Sequence, residues 1–398
     1  MKSLDVGTMF LVKGELDTID DSDVVFEKER NVFAEVKETL DDPEEILKDN
    51  NYAYAKYKNK YYVVGEDVFK VHEIESLFKK SGTSSYFSEV RRPMKDGMLN
   101  IREDKMSLAI IQEIIKNLVG KPNFPGETLC FCVPGNPVNS SNNVLFHQNV
   151  LTNFIKSLGY EPECINEALA LIFSENPCAD DPNEPDGIAK FSGISISCGS
   201  GMCNVALAWK QLPLLTFSIE SAGDWIDIES AKIVGCDVAT ITKYKERHFD
   251  FNKFDSTDMK QMALNVYYEA MIKNAIEHFS AKFENLDDDE KREIPLEIIV
   301  GGGTASVPGF IEKFKEVLKT VSLPFEVKNV RLAKNPLYAV SNGCLAKAIS
   351  VENKKKAAQN IEQKAKSEPS PEPQEEKKQT EPKEKQDKSA QKIKIERE

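Results

Sequence analysis

The stretch that decides the fold is LEIIVGGGTASVPGFIEKF, residues 296–314. Apolar and β-branched residues lead into Gly301, Gly302 and Gly303, and an amphipathic helix is predicted to begin near Pro308. Three consecutive glycines cost more backbone entropy than a tight turn requires. We therefore interpret the stretch as a strand, a platform of bare backbone against which a flat ligand can lie, and a helix.

Two earlier stretches also place a glycine-containing turn between strand-like runs. In SISCGSGMCNVAL, residues 195–207, two glycines frame Ser200 and the turn carries no charge. In LDVGTMFLVKG, residues 4–14, Asp5 lies just before a turn that contains Gly7. Backbone amides in such turns can hold phosphate oxygens, and a carboxylate can face hydrated Mg²⁺. Taken alone, each stretch fits an ordinary structural hairpin equally well.

The composition is that of a globular protein with an acidic body. The chain has 398 residues, 40% of them hydrophobic, and a net charge of −13, so we expect two or more domains. The negative charge argues against a protein that binds nucleic acid or an anionic membrane. We find no pattern of a signal peptide or a membrane-spanning helix. Eight cysteines without a C-x-x-C pair favour free thiols in a reducing, cytoplasmic compartment and argue against a zinc site.

Strand-like and helical patterns alternate through residues 1–350, which predicts an α/β fold with helix-flanked sheets. Strands are predicted at 3–12, 61–64, 128–133, 193–197, 214–219 and 296–300, and helices at 107–118, 140–158, 262–279 and 309–318. Ser140 or Ser141 is predicted to cap the second of these helices. Beyond residue 350 the chain is rich in Lys, Glu, Gln and Pro. We expect this tail to be disordered, except that 352–366 could extend the preceding helix.

The order and spacing of the three turns resemble the two phosphate loops and the adenosine loop of the actin, heat-shock-chaperone and sugar-kinase superfamily. Further matches lie between them in the family's order. ECINEALALIF and NPLYAVSNGCLAKAI resemble its two connecting helices, SAGDWID resembles its Gly-Asp-x-x-Asp turn, and KYKER resembles its adenosine-contacting Lys-Glu pair. RRPMKDGMLN is similar to a segment of bacterial rod-shape-determining actins, the members that this chain resembles most.

The resemblance covers residues 1–350 and implies an actin-like, two-lobed α/β fold. In that fold, duplicated ribonuclease-H-like domains enclose a nucleotide cleft. The implied division is a first lobe at 1–160 with a small insertion at 16–95, a second lobe at 161–350, and a disordered charged tail at 351–398.

The resemblance also implies a role for each matching residue. Asp5 would hold Mg²⁺ through water, and Glu167 would orient the water that attacks the nucleotide. The residues implied at the phosphates are Asp5, Gly7, Thr8, Lys13, Gly199, Ser200, Gly201 and Met202. Those implied around the nucleoside are Lys245, Glu246, Gly301, Gly302 and Gly303. The implied cofactors are ATP or ADP together with Mg²⁺.

The second phosphate loop departs from the family's pattern. The family begins this loop with an aspartate that also reaches the water shell of the metal, and this chain has Ser197 there, a doubtful metal contact. Met202 replaces the usual threonine, and Asn204 replaces an acidic residue. In other sites, losing one preorganised polar group slows the reaction by about 10²–10³. We therefore expect a weak metal site at Asp5 and slow ATP hydrolysis.

A nucleotide-dependent, filament-forming protein like the bacterial actins accounts for most of these features. Filaments would form through head-to-tail contacts between copies, and the nucleotide would bias closure of the lobes. Because only four residues precede Asp5, we expect no N-terminal amphipathic membrane helix, so membrane contact would need a surface loop or a partner. Three alternatives stay open: a non-hydrolysing nucleotide-binding scaffold, a heat-shock-chaperone-like ATPase, and a small-molecule kinase. The tail could bind a partner of its own.

Overall fold

The computed structural model describes residues 1–16, 24–78, 85–138, 143–175, 190–287, 291 and 297–367, with side chains up to residue 359. Residues Met1–Lys354 form one compact unit. In chain order the strands are β1 (Lys2–Val6), β2 (Phe10–Leu16), β3 (Val24–Arg30), β4 (Phe33–Glu35), β5 (Tyr54–Tyr57), β6 (Lys60–Val64), β7 (Met94–Lys95), β8 (Met98–Leu99), β9 (Thr128–Val133), β10 (Glu161–Asn166), β11 (Gly193–Cys198), β12 (Cys203–Trp209), β13 (Leu212–Ile219), β14 (Glu297–Gly301) and β15 (Asn329–Leu332).

Helices connect these strands and cover the sheets. In chain order they are α1 (Pro43–Asp49), α2 (Asp67–Phe78), α3 (Ser107–Val119), α4 (Val144–Ser157), α5 (Glu167–Ser174), α6 (Gly223–Val234), α7 (Val238–Arg247), α8 (Met259–Glu284), α9 (Phe310–Leu318) and α10 (Ala339–Ser367). Short 3-10 turns occupy Phe251–Lys253 and Gly303–Ser306. Among the helices that the structure describes, none combines the length and the apolar character that crossing a membrane demands.

Two five-stranded sheets repeat one topology. The first has the strand order β10-β9-β1-β2-β3, and the second has the order β13-β12-β11-β14-β15. In each sheet a hairpin is extended by a third antiparallel strand on one side and by two parallel strands on the other. This repetition is the duplicated α/β architecture that the resemblance implies.

Each sheet buries its apolar side chains against helices. Leu4 and Phe131 of the first sheet lie in a core with Ile110 of α3. Ile196 of the second sheet lies in a separate core with Tyr268 of α8. The side chains of each hairpin strand point alternately to the helix-covered face and to the opposite face of the sheet. Burial of one face fixes the register of the hairpin, and with it the orientation of the turn at its end.

The small insertion at 16–95 stays a prediction. The strand β3, at 24–30, pairs antiparallel with β2 inside the first sheet. Next in the chain, β4, β6 and β5 form a separate three-stranded sheet. The helix α1 lies between β4 and β5, and α2 and the β7-β8 pair follow β6. The division of the lobes after residue 160 stays a prediction, and the strand β10, at 161–166, pairs with β9 in the first sheet.

Several element boundaries differ from the sequence prediction for local reasons. The run at 3–12 is not one strand, because the chain turns at Gly7, whose N–H donates to the carbonyl of Phe10 at 3.1 Å. The helix predicted at 140–158 begins at Val144 and is capped by Asn143, whose Oδ1 accepts from the amide of Leu145 at 2.8 Å. Ser140 and Ser141 lie outside the described residues.

The last helix confirms the predicted extension past residue 352, because α10 runs from Ala339 to Ser367. Its first turns are tied to the first sheet: Ser341 Oγ lies 2.9 Å from Ser3 Oγ and donates to the carbonyl of Val12 at 3.2 Å. Of the tail predicted to be disordered, 351–398, residues 351–367 are therefore helical, and 368–398 lie outside the described residues.

Candidate functional site

A cleft of about 450 Å³ is lined by residues that follow strands of both sheets. The three glycine-bearing turns, far apart in the chain, meet there. The sequence-predicted residues that line it are Asp5, Gly7, Thr8, Glu167, Ser197, Gly199, Ser200, Gly201, Met202, Lys245, Glu246, Gly302 and Gly303.

The first turn joins β1 to β2 and has no room for a side chain at Gly7. A Cβ there would lie 2.6 Å from the carbonyl oxygen of Phe10. The fully buried Asn31 holds the turn from β3, because its Nδ2 donates to the carbonyl of Gly7 at 2.9 Å. The backbone N–H of Asn31 also donates to the carbonyl of Met9 at 3.0 Å. The turn amides are therefore held in place before any ligand arrives.

The second turn joins β11 to β12 and is closed by the N–H of Gly199 donating to the carbonyl of Met202 at 3.0 Å. The start of α6 supports it, since the N–H of Asp224 donates to the carbonyl of Ser200 at 2.7 Å. A Cβ at Gly201 would lie 2.3 Å from Thr8 Oγ1, so the first and second turns are in contact. Their backbones face one region of the cleft.

Ser200 supplies an observation that points to a ligand. Its Oγ is buried and has no hydrogen-bond partner among the described residues. A buried hydroxyl without a partner is costly. A phosphate oxygen in the cleft would satisfy it, so the second turn fits an anionic ligand.

The third turn, after β14, presents backbone to the cleft at Gly302 and Gly303. Gly302 adopts φ +89°, and a Cβ there would lie 2.3 Å from the carbonyl oxygen of Cys198. Gly301, which the resemblance also placed at the nucleoside, does not line the cleft. It packs instead against Leu171 of α5, whose Cδ1 would lie 2.9 Å from an added Cβ.

Lys13 is corrected in the same way. In the β1–β2 hairpin Val12 lines the cleft, and successive side chains of a strand point to opposite faces. Lys13 therefore lies on the other face, where its Nζ is 2.7 Å from Glu27 Oε1 and 3.5 Å from Glu15 Oε2. The prediction that it contacts phosphate is wrong because the hairpin register turns its side chain away.

Glu167 is held by two hydrogen-bond donors from the second hairpin. It begins α5, whose N-cap Asn166 accepts from the amide of Ala168 at 3.0 Å. Ser197 Oγ donates to Glu167 Oε1 at 2.8 Å, and Asn204 Nδ2 donates to Oε2 at 2.8 Å. Ser197 and Asn204 are cross-strand partners. Ser197 and Asn204, which stand where the actin superfamily pattern has acidic residues, thus fix the orientation of Glu167.

Burial sets the protonation of the two carboxylates in the cleft. It raises the pKa of Glu167 to about 8, with a further increase from the charge of Asp5, while the Ser197 and Asn204 donors oppose the shift. Burial also raises the pKa of Asp5 to about 6, although Cys132 Sγ donates to Asp5 Oδ1 at 3.2 Å. Both carboxylates would gain from a cation nearby.

The donor set fits a metal that arrives with its ligand. Across the part of the chain that is described, no group of three or more His, Cys, Asp or Glu side chains could hold a metal ion. Mg²⁺ commonly keeps several waters and binds through one or two carboxylates together with substrate phosphates. Asp5 is placed for such a contact, since it lines the cleft two residues before Gly7 of the first turn.

Part of the cleft lining is apolar. Phe249, Tyr268 and Leu337 line it together with the third turn. Lys245 contributes its aliphatic stem, because its Nζ lies 2.7 Å from Asp227 Oδ1 and donates to the carbonyl of Gly223 at 2.9 Å. The sequence did not indicate that these residues belong to the site, because isolated aromatic and apolar residues are typical of a protein core.

The segment RRPMKDG closes over the second turn. Arg92 Nη1 lies 2.8 Å from each carboxylate oxygen of Asp224. A Cβ at Gly97 would lie 2.7 Å from Met202 Cγ. Trp225, which follows Asp224 in α6, packs edge-on against the ring of Tyr267 at 5.3 Å between centroids. The segment therefore links the first half of the chain to the start of α6.

Comparison with solved structures identifies this architecture. The structure of a MamK double helical filament matches with a TM-score of 0.60 and 16% identity, over 87% of this chain and 98% of that one. MreB5 of Spiroplasma citri matches with TM-scores of 0.58 in its AMPPNP-bound form and 0.56 in its ADP-bound form. Each of these two matches has 16% identity and covers 91% of this chain and 98% of that one. The protein therefore has the actin-like fold.

The family follows from the sequence of the whole body. The family model described as Volactin matches residues 1–348, and the chain belongs to the Volactin family. A search of curated proteins gave no match.

Proposed function

We propose that this protein binds ATP or ADP with Mg²⁺ in the cleft, hydrolyses ATP slowly, and assembles head-to-tail into cytoskeletal filaments. The observation that carries the proposal is the convergence of three glycine-bearing turns on one cleft of about 450 Å³. The solved relatives support it, because MreB5 was solved with AMPPNP and with ADP, and MamK was solved as a double helical filament.

The geometry supports a definite placement of the nucleotide. Amides of the first two turns and the free hydroxyl of Ser200 would bind the phosphates. The base and ribose would lie against Gly302 and Gly303, with Tyr268 and the stem of Lys245 on the apolar side. Asp5 would hold Mg²⁺ through water, and the ion would supply charge neutralisation for the phosphates.

Slow hydrolysis is supported by the state of Glu167. Its orientation is fixed by Ser197 and Asn204, which suits a residue that positions the attacking water. In the cleft without a ligand, burial and the charge of Asp5 raise the pKa of this carboxyl to about 8, and a cation nearby would favour its ionised, water-accepting form. The absence of an acid at position 197 removes a second group that would orient water near the metal.

Two further features fit the proposed setting. The described cysteines are all free thiols, as in a reducing cytoplasm. Head-to-tail contacts between identical copies are heterologous and can propagate without closing, which is the assembly that a filament requires.

Isothermal titration calorimetry with ATP and ADP, with and without Mg²⁺, tests nucleotide binding. We expect Mg²⁺-dependent binding that Asp5→Asn weakens at least tenfold and that the exposed Asp41→Asn leaves unchanged. Sedimentation of the protein with MgATP tests assembly, and we expect pelleting above a critical concentration. A wild-type chain without affinity for either nucleotide contradicts the proposal.

The contacts of Ser197 and Asn204 with Glu167 also favour a second candidate, a scaffold that binds nucleotide without hydrolysing it. Two positions that are acidic in the actin superfamily pattern are Ser197 and Asn204 here, and both donate to Glu167. A phosphate-release assay separates the candidates. Slow release that Glu167→Gln abolishes supports the ATPase, whereas tight MgATP binding without release supports the scaffold.

A further inference from the structure

The strand β3 has an alternating charge pattern that the resemblance did not use. The sequence FEKER, residues 26–30, alternates acidic and basic side chains. In the register of the first sheet Lys28 lies opposite Val12, and Arg30 lies opposite Phe10. Directly opposed residues of an antiparallel pair share a face. Both basic residues therefore lie on the face that carries Phe10 and Val12, and all four residues line the cleft.

The acidic residues of β3 lie on the other face. Glu27 pairs there with Lys13 at 2.7 Å, and Glu29 Oε1 accepts from the backbone N–H groups of Arg30 and Glu66 at 3.0 and 2.7 Å. The alternation thus separates charge across the strand, with carboxylates away from the cleft and cations toward it. In a chain of net charge −13, this basic edge differs from the rest of the body.

The two cations retain capacity for a ligand. Within the described ranges Lys28 makes no hydrogen bond or ion pair, and its Nζ lies 5.0 Å from the centroid of the Phe10 ring. The guanidinium of Arg30 also stacks on Phe10, at 4.8 Å, and its Nε donates to Glu66 Oε1 at 3.0 Å. A guanidinium has five N–H donors, so most of the donors of Arg30 are not used by this pair.

Arg30 also lies beside the first turn. The next residue, Asn31, donates to the carbonyls of Gly7 and Met9, so the end of β3 is fixed to the turn that presents its amides to the cleft. The guanidinium of Arg30 is thereby held next to the first turn, and the ammonium of Lys28 follows two residues away on the same face of β3. Arginine and lysine both bind phosphate oxygens through charge-assisted hydrogen bonds.

We infer that Lys28 and Arg30 form a third phosphate-recognition element in the cleft, in addition to the first and second turns. It supplies positive charge directly from the protein, where the loss of an acid at position 197 weakens the hold on the metal. The inference rests on the proposed nucleotide binding and specifies which part of the ligand β3 recognises. It follows that a nucleotide's affinity depends less on Mg²⁺ than it would with the two turns alone.

Calorimetry with adenosine, ADP and ATP as separate probes tests this element, each with Mg²⁺ and with a chelator. For the variant Lys28→Ala/Arg30→Ala we expect ATP to bind about tenfold or more weakly, with the larger loss in chelator. Adenosine carries no phosphate, so its affinity should stay unchanged. Lys28→Ala alone breaks no ion pair among the described residues and should show a smaller loss of the same kind.

The matched control is Lys37→Ala/Arg102→Ala, which removes the same two charges from exposed positions that do not line the cleft. It should leave all three affinities unchanged. Wild-type ATP affinity in both β3 variants overturns the inference and leaves nucleotide binding standing. Equal losses for ATP and adenosine also overturn it, because they indicate a structural role. Failure of the wild type to bind any probe is instead a failure of the proposed function.

Discussion

Asp5 and Glu167 are buried carboxylates whose pKa values, about 6 and about 8, lie above those of the unfolded chain. Across this window the folded state holds protons that the unfolded state has released. Stability therefore falls as pH rises, from about 4 to about 6 through Asp5 and from about 4.5 to about 8 through Glu167, by up to about 1.4 kcal/mol per pH unit for each group. Nucleotide-bound Mg²⁺ would reverse the effect by favouring the ionised forms.

The apoprotein should therefore melt at lower temperature as pH rises. In chelator we expect Tm to fall between about pH 6 and about pH 8, and to fall less in Glu167→Gln, which has no charge to bury. Differential scanning calorimetry at matched ionic strength measures both. Parallel curves for the two proteins would show that Glu167 does not hold its proton in the folded cleft.

The residue at position 197 should determine how strongly the stability of the protein and its ATP hydrolysis depend on Mg²⁺. In Ser197→Asp a carboxylate replaces a hydroxyl that lies 2.8 Å from Glu167 Oε1, so two like charges meet unless a cation lies between them. We expect a lower Tm in chelator, recovery with MgATP, and phosphate release faster by about 10²-fold. Ser197→Ala, which adds no charge, should show no such recovery. An unchanged release rate in Ser197→Asp would contradict the alignment of this loop.

At the scale of elements, glycine is required in the three turns because neighbouring atoms leave little or no room for a side chain. Gly302 adopts φ 89° and ψ 157°, a region that only glycine occupies readily, and it abuts the carbonyl of Cys198. Gly235 ends α6 at φ +74°, with no atom within 4 Å of an added Cβ. The two positions differ in what surrounds them.

This difference should appear in unfolding free energies. Gly235→Ala should lose about 1–2 kcal/mol from its left-handed backbone alone. Gly302→Ala should lose at least about 2 kcal/mol more, because its Cβ collides with backbone that cannot move. Urea denaturation of both variants gives the comparison. Equal losses would mean that the third turn does not approach β11 as closely as described.

Much of the element pattern was readable from the sequence, because glycines bound apolar runs. The strand at 128–133 is confirmed to the residue, and the strands at 193–197 and 214–219 are confirmed within two residues at each end. Hairpin register was not readable, since alternation gives two faces without saying which is inward. The resemblance therefore placed Lys13 at the phosphates although its side chain lies on the opposite face, paired with Glu27, and the strand at 24–30, two of whose side chains line the cleft, was not predicted.

The whole molecule couples its two sheets at the cleft. The bond from Arg92 to Asp224 joins the RRPMKDG segment to α6, and the amide of Asp224 holds the second turn. Both side chains are partly exposed, 31% and 25%, so the pair should add at most about 1 kcal/mol to stability. Its effect should lie in how long the second turn keeps its ligand.

Arg92→Ala should therefore release nucleotide several times faster while Tm changes little. Filter-binding with radiolabelled ATP measures the release rate in Arg92→Ala, Asp224→Asn and the double variant. We expect the double variant to resemble each single one, as coupled partners do. Independent, additive effects would show that the pair does not act as one link across the cleft.

Trp225 gives the molecule an intrinsic optical reporter. The chain contains two tryptophans: Trp225 follows the residue whose amide holds the second turn, and Trp209 ends β12 at the far end of that hairpin. With Trp209 replaced by phenylalanine, the remaining indole emission would come from the start of α6 alone. Ligand entry could then be followed in real time, without an attached dye, through the intensity and wavelength of that emission.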